Sequence, residues 1–404
     1  MALRILIPQP IHLEGTTLEG GGQLLRLALG LSTLSRKPIR ITNIRGRRSG
    51  GGGLKTQHLT CVQWLGQACH AKLSGVGLKA KDITYAPNQE RVPASQLSIS
   101  EVRIDQSTPG SVNLVLQAIL PYLLFSGAQT PIRVRITGGT NVSNSPSVEY
   151  ISQVLLPMLN LIGIPCITPH LHSRGWSQAS TSLGSITYTI TPLTGRLPAF
   201  HILDRGHIIH ITATILAPRA TEHPFRSELS HVFSVRESRF FDGMNEPNVT
   251  IAFEPSHHDK RYYLLLVATT STGVRLGRDW LYDQAIRPGK LENIIPTMVR
   301  KVSDDLLAEI EHGGCVDEFM RDQLIVFQAL AEGNSKVFGG RREGELVKPS
   351  LHAQTAMWVA EQLLGVDFDE EGGCVGVGFT PGRHEREDED AELVGSMARL
   401  EVSE

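Results

Sequence analysis

The segment Glu19-Gly-Gly-Gly-Gln23-Leu-Leu-Arg26 joins a run of glycines to the start of an apolar helix. Glycine lets a backbone approach a bulky anion with its N–H groups pointing outward, and a helix N-terminus adds a partial positive charge there. Gln23 and Arg26 are three residues apart, so both project from the first turn of the helix. Two interpretations stay open: an anion-binding turn, or a tight strand-to-helix connection with solvated flanks.

This helix belongs to a pattern that recurs along the chain. A glycine-led helix, a short alternating strand, a glycine-rich loop and a second helix occur twice, and another pair of helices lies near the C-terminus. Such repetition indicates that one structural unit is used more than once. The predicted helices span 20–32, 56–71, 112–125, 147–162, 316–331 and 352–364, and the predicted strands span 38–44 and 131–136.

Helices that alternate with short β-branched strands predict an α/β fold, an α+β sandwich in which helices back the sheets. Alternating polar and apolar residues in the strands indicate that one sheet face meets solvent or another layer. The stretch 205–313 does not fit the unit, and its strand-like runs and final helix predict an inserted small α+β domain. We expect repeats one and two in 1–204, repeat three in 314–380, and a charged, disordered tail at 381–404.

The composition of the 404-residue chain is that of a soluble globular protein, with 41% hydrophobic and 20% charged residues. A formal net charge of −2 provides no global basic field for nucleic acid, but 36–55 is a local patch of arginine and lysine without an acidic residue. Five scattered cysteines without a C-x-x-C pair favour a reducing compartment and argue against a structural zinc site. No apolar run predicts a signal peptide or a membrane span, so we expect an intracellular protein without a membrane partner.

A candidate nucleophile lies near the C-terminus. Pro349 and Ser350 are helix-start signals, so His352 is predicted in the first turn of a helix, where an imidazole can face a bound anion. Neutral imidazole nitrogen is a competent nucleophile toward phosphorus. The other interpretation is a histidine that only caps or packs.

A candidate carboxylate lies on the predicted helix 316–331. Asp322 and Gln323 lie on a helix whose other face is apolar. A carboxylate there could accept the proton of a histidine N–H or bind the hydroxyls of a ribose. An ion pair with Arg321 or another cation is the alternative.

A basic loop begins at Arg45, contains four consecutive glycines and is followed by Gln57 and His58. Arginine forks match phosphate oxygens in pairs, so the loop is either a phosphate-binding site or a solvated basic turn. His257 and His258 resemble a metal-binding pair, but adjacent side chains diverge in regular structure, so a loop is the better interpretation. The chain has neither a Walker-type nor a dinucleotide-binding glycine motif.

Taken together, these motifs resemble the RNA 3′-terminal phosphate cyclases, and most closely their eukaryotic members. The resemblance covers nearly the whole chain to about residue 379 and is strongest across 312–368. It is carried by the glycine motif at 19–26, the basic loop at 45–58, Gly138-Gly-Thr-Asn141, Asp322-Gln323 and Ser350-Leu-His352. It implies three βαβαββ repeats of the enolpyruvyl-transferase and cyclase type, with a small inserted α+β domain.

The resemblance also implies a reaction. Members of the family use ATP to adenylate a histidine, pass AMP to an RNA 3′-phosphate, and let the neighbouring 2′-hydroxyl attack to give a 2′,3′-cyclic phosphate. The chain would then be an enzyme of ligase type, with ATP, Mg²⁺ or Mn²⁺ and RNA 3′-phosphate ends as its cofactors and partners. The implied location is the nucleus, in the nucleoplasm, with the cytoplasm also open.

The resemblance assigns roles by position. His352 matches the adenylated histidine, and Glu19 matches a residue that helps to hold a divalent metal. The remaining matches are contacts to the nucleotide or to phosphate: Gln23, Arg26, Arg45, Gln57, Gln117, Pro146, Phe319, Met320, Arg321, Asp322 and Gln323.

The chain departs from the family pattern in three places. Where the family carries a proline and a glycine triplet after an aromatic pair, this chain reads Arg174-Gly-Trp-Ser-Gln-Ala-Ser-Thr181. The basic loop holds one extra residue, so either Arg47 or Arg48 fills its second arginine position. The insert around 245–260 is poorly matched.

Two rival functions come from other classes. One is a non-catalytic relative that acts in ribosomal RNA processing, but that branch lacks both the nucleophilic histidine and the glutamine-histidine pair of the basic loop. His352, Gln57 and His58 therefore favour the enzyme. The other is enolpyruvyl transfer on the shared core, which leaves His352 without a role.

Overall fold

A computed structural model describes residues 9–48, 50–89, 100–177, 181–241, 248–284 and 291–382. The architecture is mixed α/β, with several mixed sheets and with helices packed against them, which confirms the predicted fold class. Of the predicted tail at 381–404, residues 383–404 lie outside the described ranges.

The first unit runs strand, helix, strand, helix, strand, strand. Its strand order is β1-β2-β4-β3, in which β1 and β2 are parallel and the other neighbours are antiparallel. A helix between two parallel neighbours is the crossover that parallel pairing requires. The elements are β1 (Ile11–Glu14), α1 (Gly22–Ser35), β2 (Ile39–Thr42), α2 (Thr56–Ala68), β3 (Lys72–Ser74) and β4 (Ile83–Ala86).

The second unit repeats this topology, with the strand order β5-β6-β8-β7 and the same parallel and antiparallel pairs. Its second helix is interrupted by a π-helical turn, Ile151–Leu155. The elements are β5 (Glu101–Asp105), α3 (Val112–Leu124), β6 (Ile132–Gly138), α4 (Val148–Tyr150), α5 (Leu156–Leu161), β7 (Thr168–Ser173) and β8 (Gly184–Ile190).

A third unit begins with β9 (His201–Ile202) and is then interrupted by an insertion. The inserted sheet has the order β11-β10-β12-β13, and α8 packs on it while also contacting α6. The elements are β10 (Ile208–Ala217), α6 (Glu222–Val235), α7 (Glu237–Phe240), β11 (Val249–Pro255), β12 (Tyr263–Thr270), β13 (Arg275–Leu281) and α8 (Ile294–Glu311).

The third unit resumes with α9 and ends with β17, in a sheet of order β17-β14-β9. One strand of the βαβαββ pattern is reduced to a single bridge between Phe368 and Cys374. The unit thus has its first strand on the N-terminal side of the insertion, and the exact domain boundaries stay predictions. The elements are α9 (Glu318–Leu330), β14 (Glu332–Val337), β15 (Arg341–Arg342), β16 (Glu345–Leu346), α10 (Leu351–Leu364) and β17 (Gly373–Val377).

The sheets of the first two units each have an exposed face and a face packed on helices. Residues in β2 and β6 alternate between buried and exposed positions, as their sequences predict. Inside, α1 contacts both α3 and α10, and α10 also contacts α9. These helix contacts bring the first turns of α1, α9 and α10 to one region of the molecule. Within the ranges given above, no helix is both long and apolar enough to cross a membrane.

Candidate active site

A cavity of about 400 Å³ lies where all three units and the inserted sheet meet. Its walls come from α1, α3, α9, α10, the loop before α4 and the end of β13. The fold, rather than proximity in sequence, therefore assembles this site. Seven residues predicted from the sequence line it: Arg26, Gln117, Pro146, Phe319, Asp322, Gln323 and His352.

His352 occupies the first turn of α10, as its sequence context predicts. Ser350 caps this helix, because its Oγ accepts a hydrogen bond from the backbone N–H of Ala353 at 3.2 Å. The imidazole is exposed on the cavity wall, and its Nδ1 contacts Oε1 of Gln23. Partial burial lowers the pKa of His352. The charge of Arg26 lowers this pKa further, whereas the charge of Asp322 raises it. The ring is therefore neutral near pH 7 and able to act as a nucleophile.

Asp322 is held by two side-chain amides. Nε2 of Gln23 donates to its Oδ2 at 2.7 Å, and Nε2 of Gln323 donates to its Oδ1 at 2.6 Å. Burial raises the pKa of Asp322, while the hydrogen bond from Gln323 and the charge of His352 lower it. The sequence left open a direct contact between this carboxylate and a histidine N–H. In the structure, Gln23 lies between the two.

Arg26 places a cation on the cavity wall. Its guanidinium makes no hydrogen bond or ion pair within the described part of the chain, although burial lowers its pKa. Behind it lies His58, whose pKa burial lowers to about 3, helped by the charges of Arg26, Arg45 and Lys55. The charges of Arg26, Arg45 and Lys55 all act on His58, so this region is cationic and would suit a phosphate ligand.

Glu19 and the basic loop lie beside α10. The backbone N–H of Glu19 donates to Oγ1 of Thr355 at 3.2 Å, one turn beyond the candidate nucleophile. The Glu19 carboxylate pairs with Arg48, whereas Arg47 donates to the carbonyl of Leu18 at 3.1 Å. A β-carbon at Gly21 would overlap the Glu19 carboxylate, so a larger residue there would displace that carboxylate.

Glu19 has the properties expected of a metal ligand shared with phosphate. Its Oε2 is buried and has no hydrogen-bond partner. Within the described ranges there is no group of three or more histidine, cysteine or acidic residues that could hold a metal. Mg²⁺ commonly uses one or two carboxylates together with water and substrate phosphates, so one orphaned carboxylate oxygen beside a cationic loop fits it.

Two further predicted residues lie at the edge of the site and do not line the cavity. Oε1 of Gln57 accepts a hydrogen bond from the backbone N–H of Ser111 at 3.2 Å, which ties α2 to the start of α3. Nη1 of Arg45 donates to the carbonyl of Gly53 at 3.3 Å. Burial lowers the pKa of Arg45.

Two predicted residues point away from the cavity. The side chain of Met320 is fully buried in the hydrophobic core. Nη1 of Arg321 donates to the carbonyl of Val347 at 2.7 Å. The spacing of a helix explains this, because five consecutive residues cannot all face one ligand.

The sequence did not reveal that the insertion supplies one wall of the cavity. Oδ2 of Asp279 accepts hydrogen bonds from the hydroxyls of Tyr263 at 2.9 Å and Ser147 at 3.0 Å, and burial raises its pKa to about 6. In the sequence, the aromatic and acidic residues of 279–283 are the feature that could have indicated a contribution to the site. The insertion contributes Tyr263, Asp279, Trp280, Leu281 and Asp283.

The segment 174–181, where the chain departs from the family pattern, packs beside the cavity loop through residues 174–177. The backbone N–H of Gly175 donates to Oγ1 of Thr140 at 3.0 Å, and the Gly175 carbonyl accepts from the Thr140 N–H at 2.9 Å. Arg174 joins Glu149 of α4, at 2.6 Å, to Glu254 of β11, at 2.6 Å. An arginine therefore links the second unit to the insertion here.

A family model described as RNA 3′-terminal phosphate cyclase matches residues 17–369. The chain belongs to this cyclase family. It is 33% identical to the RNA 3′-terminal phosphate cyclase of Staphylothermus marinus over 358 residues, covering 88% of this chain and 92% of that protein. It is 30% identical to the protein of that name from Drosophila melanogaster, covering 91% and 97%. A Dictyostelium discoideum protein named as a probable cyclase is 28% identical, covering 88% and 77%. Family membership is consistent with the observed mixed sheets and accounts for the order of the motifs.

Proposed function

We propose that this protein converts an RNA 3′-terminal phosphate to a 2′,3′-cyclic phosphodiester, using ATP and an AMP–histidine intermediate at His352. Membership of the cyclase family supports the reaction class. The single observation that supports the intermediate is the position of His352, exposed on the wall of a cavity that Arg26 also lines. Asp322 lies behind the imidazole ring and is buried, with 8% of its surface exposed.

The chemistry proceeds in three displacements. In the first, the His352 Nε2 lone pair attacks the α-phosphorus of ATP, a P–N bond forms, and pyrophosphate leaves. In the second, an oxygen of the RNA 3′-phosphate attacks the same phosphorus, the P–N bond breaks, and AMP is transferred to RNA. In the third, the 2′-hydroxyl attacks the RNA phosphorus and loses its proton, and AMP leaves.

The arrangement suits these steps because each occurs at an anionic phosphate, and the second brings two anions together. Arg26 and the basic loop would neutralise phosphate charge, and a labile P–N bond divides one difficult transfer into two easier ones. A divalent ion held by Glu19, either Mg²⁺ or Mn²⁺, would supply further neutralisation of the triphosphate. The last step needs mainly orientation, since nucleophile and phosphate share one ribose. That step also requires a 2′-hydroxyl, which distinguishes RNA from DNA.

The non-catalytic alternative is not favoured. The relatives described above carry the name of the enzyme, and this chain retains a histidine at the cavity together with Gln57 and His58. A nuclear location, with the cytoplasm open, stays a prediction.

The first prediction concerns turnover. Incubated with ATP, Mg²⁺ and an RNA that ends in a 3′-phosphate, the protein should form a phosphatase-resistant cyclic end and release AMP. His352→Ala should form none, because the imidazole proposed to accept AMP is removed. His170→Ala removes an exposed histidine of β7 and is the matched control, with activity like the wild type. A wild type inactive with both Mg²⁺ and Mn²⁺, or an active His352→Ala, would overturn the proposal.

A further inference from the structure

Gln23 contacts the candidate nucleophile from inside the protein. It lies in the first turn of α1 and is only 4% exposed. It does not line the 400 Å³ cavity, whereas both of its side-chain partners, His352 and Asp322, do. Resemblance alone assigned Gln23 to nucleotide contacts. Its burial indicates that it acts through its neighbours instead.

The two ends of the Gln23 amide have different partners, and this determines its orientation. An ionised carboxylate can only accept hydrogen bonds, and Asp322 already accepts from Gln323 on its other oxygen. The NH₂ group of Gln23 therefore points to Asp322, at 2.7 Å. Its carbonyl oxygen, which can only accept, is left facing Nδ1 of His352.

A neutral imidazole has one nitrogen that donates and one that accepts. Because Nδ1 faces an acceptor, Nδ1 must carry the proton. We propose that Gln23 is a positioning residue that holds His352 in the Nδ1–H tautomer and so directs the free lone pair of Nε2 into the cavity. This inference rests on the proposed function only for its catalytic consequence.

The consequence is specific to the attacking atom. Attack by Nε2 on the α-phosphorus leaves a positive charge on the ring, which the Nδ1–H bond to Gln23 would stabilise, with Asp322 behind it. In the other tautomer Nε2 carries the proton and has no lone pair for attack. The Nδ1 lone pair would then face the amide oxygen, a repulsive arrangement.

An amide between the imidazole and the carboxylate has a second effect. A carboxylate bound directly to an imidazole favours the protonated ring, which cannot attack phosphorus. Gln23 orients the imidazole ring through its neutral amide, and this amide separates the ring from the Asp322 carboxylate. The charged groups that act most strongly on the ring are Asp322 and Glu318 on α9, Arg26 on α1 and Arg48 in the basic loop.

The tautomer can be observed without ATP. In protein labelled with ¹⁵N-histidine, long-range ¹H–¹⁵N correlations should show His352 with the proton on Nδ1. Gln23→Met keeps the side-chain volume but removes both hydrogen bonds, and it should move the population toward Nε2–H. A wild type in the Nε2–H form would overturn the proposal, since it would mean that the amide is reversed and that Asp322 carries a proton.

The rate of protein adenylylation from labelled ATP gives a second readout. Gln23→Met should lower this rate by about 10²-fold or more, because imposing the wrong imidazole tautomer in a serine protease triad costs about 10⁴ in kcat. Because Gln23 does not line the 400 Å³ cavity, KM for ATP should change by less than about threefold. Unchanged adenylylation with an unchanged pH profile in Gln23→Met would contradict the proposal.

Gln23→Glu tests the role by its pH dependence. When protonated, the carboxyl group introduced by Gln23→Glu would copy the amide pattern, donating to Asp322 and accepting from Nδ1–H, so adenylylation should be partly rescued toward acid pH. At higher pH the variant would place two anions beside the imidazole, favour its protonated form, and lose activity, opposite to the wild-type trend. A Gln23→Glu profile that parallels the wild type would reject the proposal.

The outcomes separate this inference from the proposed function. A wild type that is never adenylylated defeats the function, while the tautomer measurement still decides the role of Gln23. A wild type that is adenylylated only as fast as Gln23→Met defeats only the positioning role. Circular dichroism of each variant checks that the fold is retained.

Discussion

His352 combines exposure with a lowered pKa. Partial burial is the main cause, and the cations Arg26 and Arg48 add to it, against the opposing charges of Asp322 and Glu318. The reactive neutral form therefore persists below the usual imidazole pKa of 6.5. For a nucleophile that must lose a proton before it attacks, this widens the pH range of activity.

These charges should determine how adenylylation depends on pH. Adenylylation should be complete above the lowered pKa of His352 and should fall on the acid side of pH 6.5. Arg48→Gln removes a nearby cation and leaves the Glu19 carboxylate unpaired, so it should move this acid limb to higher pH. Single-turnover rates measured across a pH range of about 5 to 8 would show the shift, on the order of a few tenths of a pH unit.

Arg47→Gln provides the matched control for that measurement. Arg47 is adjacent in sequence but donates to the Leu18 carbonyl, and it is not among the main causes of the lowered His352 pKa. The acid limb of the pH–rate profile of Arg47→Gln should stay at the wild-type pH, even if the rate itself changes. Equal shifts in the two variants would contradict the electrostatic account.

The sequence could predict His352 and Asp322 as candidate site residues, but it could not predict the hydrogen bonds that join them. His352 and Asp322 follow from helix-start signals and motif order. That Gln23 joins them depends on α1, α9 and α10 packing together, across 299 and 329 residues of sequence. No local pattern carries that information.

At the scale of elements, Arg174 fastens the insertion to the second unit. It donates to nearly buried Glu149 on α4 and makes a two-pronged pair with Glu254 on β11. These pairs hold the segment that begins at Arg174 against the loop of Thr140, which lies beside the cavity. Arg174 thus has a structural role at the place where the chain departs from the family's glycine triplet.

Arg174→Met should lower the free energy of unfolding by about 3 kcal/mol, because it leaves the Glu149 carboxylate buried without its cation. Arg196→Met breaks an exposed pair with Glu332 and should cost less than about 1 kcal/mol. Urea denaturation measures both. Adding Glu149→Gln to Arg174→Met should restore part of the loss, and equal losses in the two single variants would argue against this role.

Strongly periodic elements were predictable, and weakly patterned ones were not. The predicted helix 352–364 and the observed α10 differ by one residue, because serine capping and apolar spacing agree there. Helix α6 was missed because only Phe225, Leu229 and Phe233 are buried along its 14 residues. Strand β13 was missed because its buried residues do not alternate regularly.

At the scale of the whole molecule, the cavity exists only because separate units meet. The first unit supplies Arg26, the third supplies His352, and the insertion supplies a wall. A β-carbon at Gly277 of β13 would overlap Val154 and crowd Tyr150, so glycine allows the inserted sheet to pack closely on the second unit. Sequence could predict an insertion but not where it docks, since this contact depends on shape rather than on a motif.

The proposed mechanism requires that AMP becomes attached to His352. The most direct measurement is to incubate the protein with ATP and a divalent ion, quench it in alkali to preserve a P–N bond, and locate the AMP by peptide mass spectrometry. We predict AMP on the peptide that contains His352, and none on any peptide of His352→Ala. AMP on a different residue, or a wild type that carries none, would contradict the account.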